Sequence, residues 1–401
     1  MDSQRLDDTV PWSFITEADN RTVIGRPPAT GAWRDGDPAG SRQFATLGAL
    51  SFEAGGSLPL VRIAYETWGT LNENHDNAVL ILHALTGDSH VHGPAGDGHP
   101  TAGWWEEIVG PQKVIDTDRY FVVAPNMLGG CQGSTGPSSF APDGSEWGAR
   151  FPYTTIRDQV VAQAQLADTL GVAVWAAVVG GSMGGMHALE WGTIYPERVE
   201  RLAILAAPPV TTADQIAQNT VQIEAIRTDP HFHGGSYYDA SYGNGPYRGL
   251  ALARRLAMIN YRSPHELNTR FARSWQSEIS PLGNGGRFAV ESYIDFHGNK
   301  FTRRFDANSY TVLVEAMNSH DVSRGRGSID EACSRVTMPT LVLGIDSDRL
   351  FPVSGQEIIA AAVPGNIDGD KPVVMSSDFG HDAFLIENTL VSQQLARLLS
   401  I

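Results

Sequence analysis

Two patterns of apolar and polar positions alternate along most of the chain. Short apolar or alternating runs predict strands, and apolar residues three or four positions apart predict helices. The predicted strands lie at 45–52, 58–67, 77–83, 120–125, 174–179, 201–207, 340–344 and 372–375. The first two predict an antiparallel pair. The later strands alternate with helical stretches, which indicates a mostly parallel, twisted sheet with helices on both faces.

This alternation stops in the middle of the chain and then resumes. Residues 211–335 carry helical patterns and few strand signals, which predicts a helical lid inserted into an α/β core. The core is then formed by residues 46–210 and 336–401, with a last helix from about Asp382 to Leu399. Residues 1–45 are polar and rich in Gly, Pro, Asp and Arg, which predicts a loosely ordered N-terminal arm.

One segment combines an apolar run, a glycine-flanked serine and a helical run without interruption. The segment Gly180-Gly181-Ser182-Met183-Gly184 fits the G-x-S-x-G nucleophile elbow of a strand–turn–helix. A dinucleotide fingerprint would need glycine at Val179, and a phosphate-binding loop would need Lys followed by Ser or Thr; neither is present. The alternative is an ordinary glycine-rich loop between a strand and a helix.

A serine nucleophile needs a base, and the base needs an orienting acid. Two loops that follow late predicted strands supply both, in the chain order Ser, Asp, His that accompanies this elbow. Asp346 and Asp348 follow the strand at 340–344, and His381 follows the last strand. We favour Asp348 as the acid because Asp346 directly follows the strand and could fix the loop instead.

An oxyanion formed during attack by Ser182 would need two N–H donors. The residue after the nucleophile, Met183, supplies one. The loop after the third strand supplies the other, and we favour Leu85. The alternative is that this loop is an ordinary exit from a strand.

Composition and charge restrict the partners. The 401 residues are 42% hydrophobic and 18% charged, which is typical of a globular enzyme. The formal net charge of −16 argues against nucleic acid or an anionic membrane as partner. It also means that a polyanionic substrate such as a CoA ester would need a local basic rim.

Several features bear on the compartment. No apolar run reaches the ~18 residues that a membrane helix requires. The N-terminus lacks the basic start and apolar stretch of a secretory signal. Two cysteines, Cys131 and Cys333, do not form a disulfide framework. We therefore predict a cytoplasmic protein.

Histidines cluster at two places and raise the question of a metal. His83, His90 and His92 lie close in sequence, and His231 and His233 form a second pair. Neither H-E-x-x-H nor a paired C-x-x-C motif accompanies them. We predict ordinary polar residues and no metal site.

Five motifs taken together resemble the homoserine O-acetyltransferase family, and the resemblance runs from about residue 45 to the C-terminus. The motifs occupy residues 83–90, 126–137, 180–191, 318–321 and 380–384. The resemblance implies an α/β-hydrolase fold with a helical lid, assembled as a homodimer. It also implies acetyl transfer from acetyl-CoA to the hydroxyl of L-homoserine, in methionine biosynthesis. Acetyl-CoA is then a co-substrate, and no cofactor is bound permanently.

The resemblance extends to individual residues. It assigns the nucleophile, acid and base to the serine, aspartate and histidine selected above. It assigns Arg254 to the substrate carboxylate and Asp382 to the substrate amino group, and it places Tyr261 and Thr86 near the substrate. Without the resemblance, the sequence predicts that Arg254 is a solvated helix arginine or an ion-pair partner. It predicts that Asp382 is a helix N-cap.

One departure from the family pattern leaves the substrates open. His187 stands where the family usually has Gln or Arg. Alternatives are a homoserine or serine O-succinyltransferase of the same family, and a carboxylesterase that shares the first half-reaction. A binding protein that has lost its chemistry on the same scaffold is a third. Arg324 and Arg326 could contribute to a CoA rim or only solvate a loop.

Overall fold

The computed structural model describes residues 23–401, and its centre is an eight-stranded sheet. The strands, including a separate pair formed by β4 and β5, are β1 (Gln43–Ser51), β2 (Ser57–Trp68), β3 (Ala78–Leu82), β4 (Val109–Gly110), β5 (Ile115–Asp116), β6 (Phe121–Pro125), β7 (Ala177–Gly181), β8 (Leu202–Leu205), β9 (Thr340–Ile345) and β10 (Val373–Met375). The spatial order in the sheet is β1-β2-β6-β3-β7-β8-β9-β10.

The pairing of these strands confirms the predicted mostly parallel sheet. β1 pairs antiparallel with β2, and β2 antiparallel with β6. From β6 through β3, β7, β8 and β9 to β10, every neighbouring pair is parallel. The sequence did not predict β4 and β5, because strands of two residues are too short to produce a period-two pattern.

Both faces of the sheet are buried at the central strands β3, β7, β8 and β9, which explains the continuous apolar runs there. In β3, Leu80 and Leu82 pack into the core on one face, while Val79 and Ile81 pack into the core on the other. Successive side chains of a strand point to opposite faces, so a strand covered on both sides must be apolar at every position.

Helices cover the two faces and fill the predicted insertion. They are α1 (Ile156–Thr169), α2 (Met183–Ile194), α3 (Ala213–Arg227), α4 (Tyr247–Tyr261), α5 (Pro264–Phe271), α6 (Ala289–Phe301), α7 (Ala307–Asn318), α8 (Ile329–Cys333), α9 (Val353–Ala362), α10 (Ala383–Ile386) and α11 (Asn388–Leu399). Helices α3 to α8 lie between β8 and β9, and we call residues 211–335 the helical insertion. None of the helices in residues 23–401 has the length and apolar character that a bilayer crossing needs.

Two predictions need correction. The single last helix from Asp382 to Leu399 is wrong: the backbone leaves the helical conformation at Glu387, with φ −82° and ψ 55°, and separates α10 from α11. Residues 1–22 of the predicted arm lie outside the described residues. The remainder is not loose, because the Gly31 N–H donates to the Phe305 carbonyl (3.1 Å) and the Thr30 hydroxyl to Asp306 (2.7 Å).

Candidate active site

The turn between β7 and α2 has the geometry of a nucleophile elbow. Ser182 has φ 59° and ψ −123°, a conformation that a non-glycine residue rarely adopts. A side chain at Gly184 would place its Cβ 2.0 Å from the carbonyl oxygen of Leu82, at the end of β3. The absence of that side chain lets the start of α2 press against the neighbouring strand, so the turn can be sharp.

Three residues from distant parts of the chain form a hydrogen-bonded relay. His381 Nε2 lies 2.8 Å from Ser182 Oγ, and His381 Nδ1 lies 2.6 Å from Asp348 Oδ2. The other oxygen of Asp348 accepts the N–H groups of Leu350 (2.8 Å) and Phe351 (2.9 Å), so backbone donors hold the carboxylate. The three relay side chains are buried. The structure therefore brings together the predicted nucleophile, base and acid.

The electrostatic environment of His381 suits a base held by an acid. Burial alone lowers the pKa of an imidazole, because it disfavours the charged form. The charge of Asp348, its hydrogen bond and the charge of Asp382 act in the opposite direction, and together they raise the pKa of His381 above its ordinary value.

The second acid of the loop has a different contact. Asp346 Oδ1 accepts the backbone N–H of Ser377 at 3.1 Å, which ties the loop after β9 to the loop after β10. Asp348 is thus the aspartate that contacts the imidazole, and Asp346 fixes the backbone beside it.

The predicted oxyanion donors lie on two adjacent segments of backbone. Met183 begins α2, and Leu85 lies in the loop after β3, next to which Gly184 packs. Within residues 23–401, neither N–H donates a hydrogen bond to another protein group. Both donors are therefore available for a ligand oxygen.

A cavity of about 280 Å³ opens beside the loop after β3 and contains part of the predicted substrate site. Arg254 lines it and donates to the hydroxyl of Thr86 at 3.2 Å. The Arg254 guanidinium lies 5.3 Å from the ring centre of Tyr261, and that ring lies 5.9 Å from the His381 ring. Ser182, His381 and Tyr261 do not line this cavity, but the Tyr261 ring lies beside both Arg254 and His381 and so links the cavity with the relay.

The cavity wall is basic although the chain is acidic overall. Lys300 and Arg304 line it with Arg254 and His297. Burial first, and then the positive charges around it, Arg254 foremost, lower the pKa of His297 to about 3. The prediction of site residues missed all of these except Arg254. The sequence signal was the basic stretch Lys300-Phe301-Thr302-Arg303-Arg304 at the end of α6.

Asp382 lies next to His381 but has its own partner. Its carboxylate oxygen lies 3.3 Å from Arg262 Nε, and it makes no side-chain cap at the start of α10. The N-cap alternative therefore does not describe its side chain. Arg262, at the end of α4, was not predicted, because only tertiary packing brings it to Asp382.

His187, the residue that departs from the family pattern, does not face the relay. It is fully buried, and its ring nitrogens lie 2.7 Å from the Met183 carbonyl and 2.6 Å from Gln159 Oε1 on α1. Burial lowers its pKa to about 3. The departure changes the contact between two helices, so it carries no information about the acyl group.

The two arginines considered for a CoA rim form internal ion pairs. Arg324 pairs with Glu53 at 2.8 Å and also donates to the Ser319 carbonyl. Arg326 pairs with the buried carboxylate of Glu190 at 2.8 Å. Neither lines the cavity.

One histidine cluster has the composition of a metal site but not the geometry. Donor atoms of Glu66, His90 and His99 lie within 4.8 Å of one another. The two rings stack with centres 3.8 Å apart and planes 11° apart, so their in-plane lone pairs cannot converge on one ion. His99 Nε2 accepts the Ser41 N–H (3.0 Å), and His90 Nδ1 bonds the Glu66 carboxylate (2.9 Å). The cluster is a buried hydrogen-bond network.

Comparison with known proteins agrees with this geometry. A family model for the alpha/beta hydrolase fold matches residues 77–387. The crystal structure of esterase E22 superimposes with a TM-score of 0.80 at 26% identity, over 89% of this chain and 99% of that one. The chain is therefore an α/β-hydrolase-fold protein.

Two further similarities identify the family within that fold. A homoserine O-acetyltransferase of Leifsonia xyli subsp. xyli (strain CTCB07) is 68% identical over 391 residues, covering 98% of this chain and 97% of that protein. The crystal structure of homoserine O-acetyltransferase from Bacillus anthracis superimposes with a TM-score of 0.81 at 30% identity, over 90% and 97% of the two chains. The chain belongs to the homoserine O-acetyltransferase family of enzymes.

Proposed function

We propose that this enzyme transfers an acetyl group from acetyl-CoA to the hydroxyl of L-homoserine through an acetyl-serine on Ser182. The observation that carries the proposal is the relay from Ser182 through His381 to Asp348, linked through Tyr261 to a basic cavity. The names of the relatives support homoserine as the acceptor and acetyl as the group transferred. Acetyl-CoA as the donor is our proposal.

In the first half-reaction, Ser182 Oγ attacks the thioester carbonyl carbon while His381 Nε2 accepts the hydroxyl proton. The carbonyl oxygen becomes an oxyanion, which the N–H groups of Leu85 and Met183 stabilise. The C–S bond then breaks, and His381 returns the proton to the departing sulfur. The products are CoA thiol and acetyl-Ser182, and Asp348 stabilises the imidazolium between the two steps.

In the second half-reaction, the homoserine hydroxyl gives its proton to His381 and its oxygen attacks the acetyl carbon. The bond to Ser182 Oγ breaks, and the proton moves from His381 to that oxygen. O-acetylhomoserine leaves and the free enzyme is restored. Because CoA leaves before homoserine reacts, ping-pong kinetics are expected.

The acceptor is an amino acid, and groups of both charges lie near the relay. Arg254 makes no ion pair with a carboxylate of residues 23–401, and it would hold the substrate carboxylate. Asp382, adjacent to the base, would hold the ammonium. Thr86 and Tyr261 would complete the contacts. Such positioning directs the hydroxyl toward His381 rather than admitting water.

A carboxylesterase is the second candidate, because the similar esterase E22 shares the fold. Both activities begin with acylation of the serine and differ only in whether water or an alcohol accepts the acyl group. The presence of a cationic group, Arg254, and an anionic group, Asp382, near the relay favours an amino-acid acceptor over water. A succinyl donor would also be compatible with the relay.

One assay separates these candidates. CoA thiol release is followed with acetyl-CoA or succinyl-CoA, each with homoserine, serine or no acceptor. We expect release that depends on acetyl-CoA and homoserine, with parallel double-reciprocal lines. Release that is independent of any acceptor would favour the esterase, and a preference for succinyl-CoA would reject the acetyl donor.

The remaining proposals concern the oligomeric state and the cellular compartment of the protein. We propose a homodimer, supported by four exposed apolar side chains on α3 and α4: Ile216, Val221, Leu252 and Ile259. We also propose a cytoplasmic place in methionine biosynthesis, supported by two cysteines that are buried free thiols. Sedimentation of the purified protein tests the dimer, and a monomer at micromolar concentration would reject it.

A further inference from the structure

His83 lies immediately before the loop that carries the proposed oxyanion donor Leu85. Its side chain is 2% exposed, and both ring nitrogens are engaged by backbone atoms. It takes no part in the proton relay described above. Its contacts nevertheless determine how the peptide preceding Leu85 is held.

The tautomer of His83 follows from its two partners. Nε2 lies 3.0 Å from the backbone nitrogen of Met127, which is a donor, so Nε2 must be the unprotonated acceptor. Nδ1 lies 2.7 Å from the carbonyl oxygen of Ala84, which is an acceptor, so Nδ1 carries the hydrogen. Burial lowers the pKa of His83, which keeps the ring neutral in this one tautomer.

The carbonyl that His83 holds belongs to the same peptide as the Leu85 N–H. A trans peptide is planar, with its C=O and N–H pointing in opposite directions. Fixing the Ala84 oxygen therefore fixes the direction of the Leu85 N–H. The same oxygen also accepts the N–H of Gly87 at 2.9 Å, so both of its lone pairs are used. Hydrogen bonds to a carbonyl polarise the whole peptide and strengthen its N–H as a donor.

The packing around His83 is specific to this arrangement. A Cβ at Gly87 would lie 2.8 Å from the His83 Cβ and 3.2 Å from its Cγ, so any larger residue there would displace the ring or the turn. On the other side, a Cβ at Gly184 would lie 3.1 Å from the His83 carbonyl oxygen. His83 thus lies between the two segments that carry the proposed donors.

We propose that His83 is a positioning residue that orients and polarises the Ala84–Leu85 peptide as an oxyanion-hole donor. The inference rests on the proposed function, because it takes Leu85 as the donor. It predicts that His83 matters when the oxyanion forms, but not when CoA binds. Removing one oxyanion-hole donor costs about 10²–10³-fold in kcat, so loss of its orientation should cost about 10–100-fold.

Two amide variants separate the two nitrogens of the ring. In His83→Asn, the amide nitrogen can occupy the place of Nδ1 and donate to Ala84. In His83→Gln, the longer amide reaches the place of Nε2 and leaves Ala84 without its donor. His320→Gln is the control, because His320 is equally buried and contacts the backbone carbonyl of Pro208 instead.

The measurements are kcat, the dissociation constant of CoA, and the affinity of a boronic acid that forms a tetrahedral adduct with Ser182. For His83→Gln we expect both kcat and boronate affinity to fall about 10–100-fold, with CoA binding unchanged. His83→Asn should recover most of that loss, and His320→Gln should stay within about threefold of wild type on all three measurements.

The pH profile gives an independent readout. His83 stays neutral, so His83→Gln should lower the plateau of kcat/KM without moving the acidic limb set by His381. A shifted limb, equal losses in both His83 variants, or an unchanged boronate affinity would overturn the inference. Wild-type protein that binds the boronate but releases no CoA would reject the proposed substrates instead, and the order of boronate affinities would still decide the role of His83.

Discussion

The proton relay and the proposed acceptor site lie side by side but are built in different ways. Ser182, Asp348 and His381 each follow a strand of the parallel sheet, so the same edge of the sheet presents all three. Arg254 lies on α4 within the helical insertion, where packing against Phe301 and Tyr261 sets its position.

The two groups of residues are therefore positioned by different features of the fold. The carboxyl ends of neighbouring parallel strands must meet, so the order of the strands positions the relay. The proposed acceptor site depends on contacts between the insertion and the core, such as Arg262 with Asp382 and Arg304 with Asp88. Changes at the sheet edge should therefore abolish chemistry, whereas changes in the insertion should weaken acceptor binding.

The largest effect is expected at the nucleophile. Ser182→Ala removes the oxygen that would carry the acetyl group, so kcat should fall by about 10⁴-fold or more. CoA thiol release measures this loss, and CoA binding should persist because the substitution removes only one buried hydroxyl oxygen at the elbow. A loss below tenfold would mean that the elbow is only structural.

The next largest effect is expected at Asp348, the acid that orients His381. Asp348→Asn should lower kcat by about 10³–10⁴-fold, because the imidazolium loses its partner and the correct tautomer is no longer enforced. Asp346→Asn is the matched control on the same loop, and it should reduce stability more than turnover, since Asp346 bonds only backbone. Equal losses in the two variants would reject the assignment of Asp348.

The pH dependence follows from the same pair. Asp348 contributes to the raised pKa of His381, and the base must be neutral to accept a proton. Activity should therefore fall as pH decreases through a value above the ordinary histidine pKa of about 6.5. In Asp348→Asn this limb should move to lower pH. A wild-type limb well below 6 would contradict the contribution of Asp348.

Substitutions in the proposed acceptor site should change the KM for homoserine rather than the acetylation of Ser182. Arg254→Met should raise the KM for homoserine about 10–100-fold, since a charge-assisted bidentate contact is lost, while acetylation of Ser182 stays normal. Arg255→Met is the control, because the adjacent Arg255 pairs with Asp295 (3.1 Å). Slower acetylation in Arg254→Met, or an equal effect in the control, would contradict the separation between relay and acceptor site.

A smaller effect is expected at Asp382, the residue proposed to hold the substrate ammonium. Asp382→Asn should raise the KM for homoserine about tenfold or less, because Arg262 already neutralises part of the carboxylate. It should also lower the pKa of His381 slightly, since Asp382 contributes to raising it. Homoserine saturation curves recorded across pH measure both changes, and an unchanged homoserine KM would contradict a role of Asp382 in the acceptor site.

The smallest effect is expected away from both regions. Arg324→Gln should leave the KM for acetyl-CoA within about threefold of wild type, because Glu53 already neutralises the charge of Arg324. Since that pair is partly exposed, the loss of stability should be about 1 kcal/mol or less. A large rise in the KM for acetyl-CoA would instead indicate that Arg324 contacts CoA.

The same comparison explains how much the sequence could predict. Strand periodicity and chain order were enough to select Ser182, Asp348 and His381, because a parallel sheet leaves little freedom at its edge. The partners inside the insertion could not be predicted in this way: Arg262 reaches Asp382 only through the packing of α4. The basic stretch at 300–304 was visible, but nothing local connected it to the cavity.

Trapping of the acyl-enzyme tests the central claim most directly. The protein is mixed with acetyl-CoA without acceptor, quenched with acid within milliseconds to seconds, and mapped by peptide mass spectrometry. We predict one acetyl group on the peptide that contains Ser182, released as O-acetylhomoserine when homoserine is added before the quench. A catalytically active protein that never carries acetyl on Ser182, and whose two substrates give intersecting double-reciprocal lines, would contradict the account.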